Sequence, residues 1–355
     1  MNADAWRFRG TLGPALRRGL VAGIPVGATI LFDLDLSAAQ IAGIGVGALV
    51  TGFVAFDSPS GRTRAAWQAG VAPFIAMGGA LGALTGQSGI LASLTMLALA
   101  SAAALTFAVS LRLYVAALNV VLALLLAQGL APGTSDALEV FALAGIGSLL
   151  QAAVSFVASL VDRIAEELNP RTGFNTARAV IAANLGFDKV AFRHALRWGF
   201  ALAVGVAVYQ ALDLGPHGYW VPMTVLFVLR PTHDETWERI AMRAAGTFAG
   251  LAVATPIAEL VGGIDVLEAL AIALTAALSY ALLAIEYALF TTAITSFAVI
   301  FAHAFGQPAV DAADERALAT AIGLAICAIA FFVFREVGEP VRPQPAGGAD
   351  APSAR

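Results

Sequence analysis

One cysteine in 355 residues, Cys327, sits inside an apolar run, which excludes a disulfide framework and a paired-thiol metal site. Charge is almost as scarce. Asp, Glu, Lys and Arg make up 12% of the chain, against about 25% in a soluble domain, and no water-facing surface can be built from so little. The four histidines, His194, His217, His233 and His303, are scattered, and the topology derived below sends them to both sides of a membrane, so they make no single metal site. HDETW (233–237) lacks the second histidine of a zinc-protease helix. GIGVG (43–47) lies within an apolar run with no strand before it, and no Walker sequence occurs, so direct ATP use is not expected. No acid–base constellation stands out. Neither an enzyme nor a cofactor is expected, and nothing in the charge points to nucleic acid.

What is abundant is grease. Hydrophobic residues form 59% of the chain, and the mean hydropathy is +0.82. The solvent must be largely lipid. The apolar runs are apolar on nearly all sides, which excludes the alternating strands of a membrane barrel. The expectation is an all-α integral membrane protein. Spans of about 20 residues can be placed at 16–32, 39–56, 69–86, 89–109, 113–131, 138–161, 196–213, 218–230, 244–262, 266–285, 287–306 and 316–334. With the N-terminus in the cytoplasm, this count leaves every basic residue but Arg316 on the inner side. The acids Asp33, Asp35, Asp136, Asp213, Glu259, Asp265 and Asp311 fall outside. Both termini are therefore expected in the cytoplasm of a cell whose inner membrane holds the chain.

The two ends of the chain look alike. ALRRGL (15–20) resembles ALRWGF (195–200), and FDL (32–34) parallels LDL (212–214) at the same offset. Six spans per half would enter the membrane in one direction, as a parallel repeat. The domains expected are a first six-helix half (1–161), a cytoplasmic amphipathic linker (162–194) with a helix near 174–184, a second half (195–335), and a disordered tail (336–355). Glycines four apart (Gly19, Gly23, Gly27; Gly78, Gly82, Gly86; Gly246, Gly250) read as close helix-packing faces.

The runs FRHALRWGFALAVGVAVYQALDLGP and HGYWVPMTVLFVLRPTHDETWERIAMRAAGTFAG, together covering 192–250, resemble the fusaric acid resistance protein-like family of bacterial inner-membrane proteins. YALFTTAITSFAVI (287–300) and RALATAIGLAIC (316–327) resemble later helices of that family, so the likeness is specific over 190–334 and weak over 1–160. It implies an integral membrane transporter exporting aromatic carboxylic acids or related organic anions. A more distant likeness to the plant aluminium-activated malate transporters implies an anion path between two six-helix bundles. The large cytoplasmic domains of many relatives are not expected in this sequence, so no regulation is carried over from them.

Within that expectation, Arg230, Arg239 and Arg243 on one half and Arg64 on the other are candidates to ring an inner vestibule and hold a carboxylate. The competing reading is arginine touching lipid phosphate. Tyr219, Trp220 and Pro222 are candidates to wall a cavity for a planar acid, or to form an interfacial belt beside a tolerated kink. Asn119 is a polar candidate within a span. Arg112 and Glu286 lie on inner turns and are candidates to pair across the pseudo-twofold, and His303 is a candidate for proton coupling. A small organic anion and the lipid bilayer are the expected partners, with the chain a monomer or homodimer. The alternative function is a membrane scaffold or assembly subunit with no transport path, which needs no polar groups converging at the symmetry axis.

Overall fold

The computed structural model describes residues 13–23, 29–32, 38–55, 58, 60–130, 133, 137–162, 174–215, 217–230, 233–283 and 285–333. The expectations for linker residues 163–173 and for the tail beyond 335 lie outside these. Among the described residues the chain is helical and contains no strand. The helices run α1 (13–23), α2 (Ala38–Gly52), α3 (Gly61–Thr85), α4 (Gly89–Leu105, prolonged by a 3-10 turn Thr106–Ala108), α5 (Leu111–Leu130), α6 (Ala137–Asp162), α7 (Phe174–Ala183), α8 (Val190–Ala211), α9 (Trp220–Val228), α10 (His233–Val261), α11 (Asp265–Leu282), α12 (Tyr287–Ala304) and α13 (Ala309–Val333).

Eight of these are long and apolar enough to cross a membrane: α3, α4 with its turn, α5, α6, and α10 to α13. Their outward faces are greasy. Ile90, Leu138 and Leu260 are each at least 75% exposed, a pattern that only lipid tolerates. Each expected span coincides with helical residues, and α7 occupies the expected amphipathic segment. Besides α1 and the amphipathic α7, three helices are not among the eight. α2 has 15 residues and α9 has nine, about 13 Å of rise, while α8 carries Arg193, His194 and Arg197 in its first half.

Helix starts follow local chemistry. The Ser60 and Ser88 hydroxyls accept from Thr63 N and Leu91 N at 3.4 Å, and the Glu286 carboxylate accepts from Leu289 N at 2.9 Å, each meeting a donor that an α-helix N-terminus leaves open. Pro222 stands in the first turn of α9, where its missing N–H costs nothing, so it does not kink a span as the sequence suggested. Pro73 and Pro256 lie inside α3 and α10.

The short helices α2 and α9 end inside the protein, where unsatisfied carbonyls are expensive. Each end is closed by a tyrosine and an arginine from other helices. At α2, Tyr280 Oη donates to Leu49 O at 2.7 Å, Arg18 Nη1 to Gly52 O at 3.0 Å and Gln68 Nε2 to Thr51 O at 3.2 Å. At α9, Tyr287 Oη donates to Phe227 O at 3.4 Å and Arg197 Nη2 to Arg230 O at 2.7 Å. The cationic donors also complement the negative end of the helix dipole. Arg18, Arg64 and Arg197 are buried among helices, with Arg64 donating to Ser58 O, so these arginines serve the protein backbone and not lipid phosphate.

Close helix contacts are made where glycine removes a side chain. Gly19 and Gly23 of α1 meet Ala277 and Ala273 of α11, while Gly199 of α8 meets Leu97 and Ser101 of α4. Gly78 and Gly82 of α3 seat on the carbonyls of Val120 and Leu124 in α5, and Gly246 and Gly250 of α10 on those of Ala288 and Thr292 in α12. Gly147 of α6 abuts Ile44 and Ala48 of α2, as Gly323 of α13 abuts Val221 and Thr224 of α9. A Cβ at any of these would collide with its neighbour.

Candidate functional site

The two short helices and their neighbours leave a chamber of about 100 Å³. Its walls come from α2 and α5 on one side and from α9 and α12 on the other, with Ala22 of α1 and Arg316 of α13 completing it. Aromatic rings dominate the lining: Phe53, Trp220, Phe227, Phe290, Phe297 and Phe301. Phe290 stands between Phe53 and Phe227, its centroid 6.0 and 6.1 Å from theirs, both edge-on, and the three close one end of the chamber. Behind them the Arg18 guanidinium sits 5.1 Å over the Tyr280 ring, and that of Arg239 lies 4.0 Å over Tyr287.

The opposite end is polar. There Arg316, 1% exposed, lays its guanidinium 4.6 Å from the centroid of Trp220, and its Nε and Nη1 have no hydrogen-bond partner. His217 stacks on the same indole at 4.7 Å and meets Glu315 through Nδ1 at 3.0 Å. Burial pushes the His217 imidazole below its ordinary range, with Glu315 opposing the shift, so the ring is neutral near pH 7 and donates to the carboxylate. The apolar chamber is thus bordered by one permanently charged cation with open donors, stacked on a tryptophan. A carboxylate attached to a ring matches both features, through charge-assisted hydrogen bonds and through stacking.

Of the residues singled out in the sequence, Tyr219 and Trp220 stand together here. Both are buried inside the protein and not in an interfacial belt, because Tyr219 packs its ring on Gly129 and Trp220 faces the chamber. Pro222 turns away and packs against Gly205. Arg239 reaches the aromatic plug through Tyr287. Arg230 is half-buried, and its backbone N–H and carbonyl are both bonded to Thr236 Oγ1. Arg243 is fully buried but does not border the chamber. Asn119 turns back on its own helix, Nδ2 donating to Val115 O at 2.7 Å. Glu286 caps α12, Arg112 stands at the start of α5, and His303 meets the Gln307 carbonyl at 3.1 Å. Arg64 serves Ser58 in the loop between α2 and α3. Arg316 was the residue missed, although it was the one base that broke the sorting of charge.

Residues 200–331 match the family model described as fusaric acid resistance protein-like. The chain is 31% identical over 139 residues to the inner membrane protein YccS of Escherichia coli strain K12, a match covering 39% of this chain and 19% of that protein. An uncharacterised Synechocystis protein is 31% identical over 163 residues (46% of this chain, 21% of that one), and an uncharacterised Haemophilus influenzae protein 28% over 155 (44% and 21%). The matched stretch therefore spans about a fifth of the length of these relatives. No solved structure matches the chain.

Proposed function

We propose that this chain is an inner-membrane transporter that exports aromatic carboxylates or related organic anions through a path between two six-helix halves. The observation that carries this reading is the buried Arg316 guanidinium with open donors, set at the rim of an aromatic chamber. A fixed cation with open donors in an apolar interior costs several kcal/mol, and a bound anion recovers part of that cost. The path runs from Arg316 through the chamber, past the plug of Phe53, Phe227 and Phe290, to Arg18 and Arg239 on the other side. The plug is the gate, and rotation of its rings opens it.

The reading of the halves as a repeat is supported by the recurrence of contacts. The α3–α5 seam recurs as α10–α12, with residues 78, 82, 120 and 124 answering to 246, 250, 288 and 292. The α6–α2 contact recurs as α13–α9. The first helix of each half packs on the other half, α1 on α11 and α8 on α4, so the halves exchange their leading helices. Proton coupling belongs, in this reading, to His217 at the chamber rim more readily than to His303. The scaffold alternative accounts for Asn119 and Glu286, whose polar groups are spent on local backbone. It gives no reason for Arg316.

The test is efflux of radiolabelled 4-hydroxybenzoate from proteoliposomes, with and without a pH gradient. Arg316→Gln removes a charged partner worth about 1.5–3 kcal/mol, so efflux at subsaturating substrate should fall about 10- to 100-fold. Wild-type efflux equal to that of protein-free vesicles would sink the reading.

A further inference from the structure

A second buried cation calls for an anion of its own. Arg243 of α10 is 0% exposed, and its Nε, Nη1 and Nη2 have no hydrogen-bond partner. One turn along the same face, the buried Oγ1 of Thr247 is also without a partner, as is that of Thr320 on α13. Arg243 lies within electrostatic reach of both Arg316 and Cys327. Those two residues mark the ends of one face of α13, and Thr320, four residues from Arg316, lies between them on that face. α10 packs directly on α13. Two unpartnered donors on one face of α10 and one on the Arg316–Cys327 face of α13 thus lie on helices that pack together, and no carboxylate among the described residues bonds to them. The neighbouring charge, Arg316, has the same sign and raises the cost. Arg243 borders neither the chamber nor the wider cleft beside Gly86–Ile90, so a monatomic anion is the counter-charge that asks least space of its packed surroundings.

We propose that Arg243, Thr247 and Thr320 hold a resident halide ion, chloride in the cell, within the α10–α13 packing. The ion is a fixed counter-charge and not cargo. It neutralises Arg243 so that Arg316 alone presents its charge to the chamber. The proposal does not depend on what the chamber carries.

The test uses the full chain in detergent and follows its thermal unfolding midpoint as sodium chloride replaces sodium gluconate at constant ionic strength. The expected result is a saturable rise of a few degrees in chloride, as ligand linkage requires. Arg243→Met should abolish the rise. Thr247→Val and Thr320→Val should each move half-saturation to about 10-fold higher chloride, the loss of one hydrogen bond to an ion. If Arg243→Met does not fold, the two threonine variants decide. Arg316→Gln should keep the chloride response while losing organic-anion efflux, which separates this site from the chamber. Equal midpoints in chloride and gluconate, an unchanged response in both threonine variants, or loss of the response in Arg316→Gln would each overturn the proposal.

Discussion

At the scale of single residues, polar groups in an apolar run divide by what they turn towards, and the sequence does not carry that direction. Asn119 and Arg316 both look like polar intrusions into a span. Asn119 spends its amide on Val115 O one turn back, a bond any helix offers, whereas Arg316 reaches out of its helix to Trp220 and an open space. Length explains the difference, since a guanidinium on a long stem can leave its own backbone and a short amide cannot. The one readable signal was that Arg316 alone fell on the side otherwise reserved for acids. His217 extends the argument to pH. Its imidazole faces Glu315, Arg316, Tyr219 and Trp220, and burial holds its pKa below the ordinary value. Because the folded value is depressed, stability is full above the ordinary histidine range and falls as pH drops through it towards the folded value. The folded imidazole takes its proton only at the depressed end of that window, where it adds positive charge beside Arg316. Affinity for a fully ionised sulfonate probe, such as benzenesulfonate, should therefore rise only once pH falls below the ordinary histidine range. His217→Gln should flatten this profile in a titration followed by tryptophan fluorescence.

At the scale of helices, positions were legible and partners were not. Lipid thickness sets the length of an apolar run, so the helices could be placed from the sequence, but of the twelve spans expected only eight helices among the described residues are long and apolar enough to cross. Glycine spacing announced close approach in α1, α3 and α10, yet the same spacing fits any neighbour with a smooth face. Only the fold shows that Gly246 and Gly250 seat on the carbonyls of Ala288 and Thr292. The short α9 was legible in part, because Arg230-Pro231 forbids helix beyond it. Its capping by Tyr287 and Arg197, from helices before and after it in the chain, was not. The seams allow a direct prediction. Gly250→Val inserts a branched side chain against Thr292 O and Thr295, where nothing can give way. Overpacking of this kind costs about 1–3 kcal/mol, read as a lowered unfolding midpoint in detergent. Gly263, with nothing near its missing Cβ and a backbone φ of +76°, is the control: Gly263→Asn retains a left-handed backbone and should leave the midpoint nearly unchanged.

At the scale of the whole molecule, α1 packs on α11 and α8 on α4, so the two halves proposed above would each be incomplete alone. α1 buries its glycine face on α11, and α8 on α4, so a fragment ending in 163–173 would expose the face that α8 covers. Two fragments divided within 163–173 should restore efflux when co-expressed and give none singly, measured in the same vesicle assay. Accessibility tags should also place the α7 segment and the C-terminus on one face of the membrane. Opposite faces would require an odd number of crossings between them and would break the pairing of the halves. One more consequence follows from the shortness of α2 and α9. Where the low-dielectric layer is thin, the transmembrane voltage drops over a short distance, and a charge held in the chamber sits inside that drop. Each full crossing by a monovalent anion is worth about 2.3 kcal/mol per 100 mV. In a cell with a negative interior that work points outward, so for the export proposed above the electrical gradient would add to the drive on an acid anion.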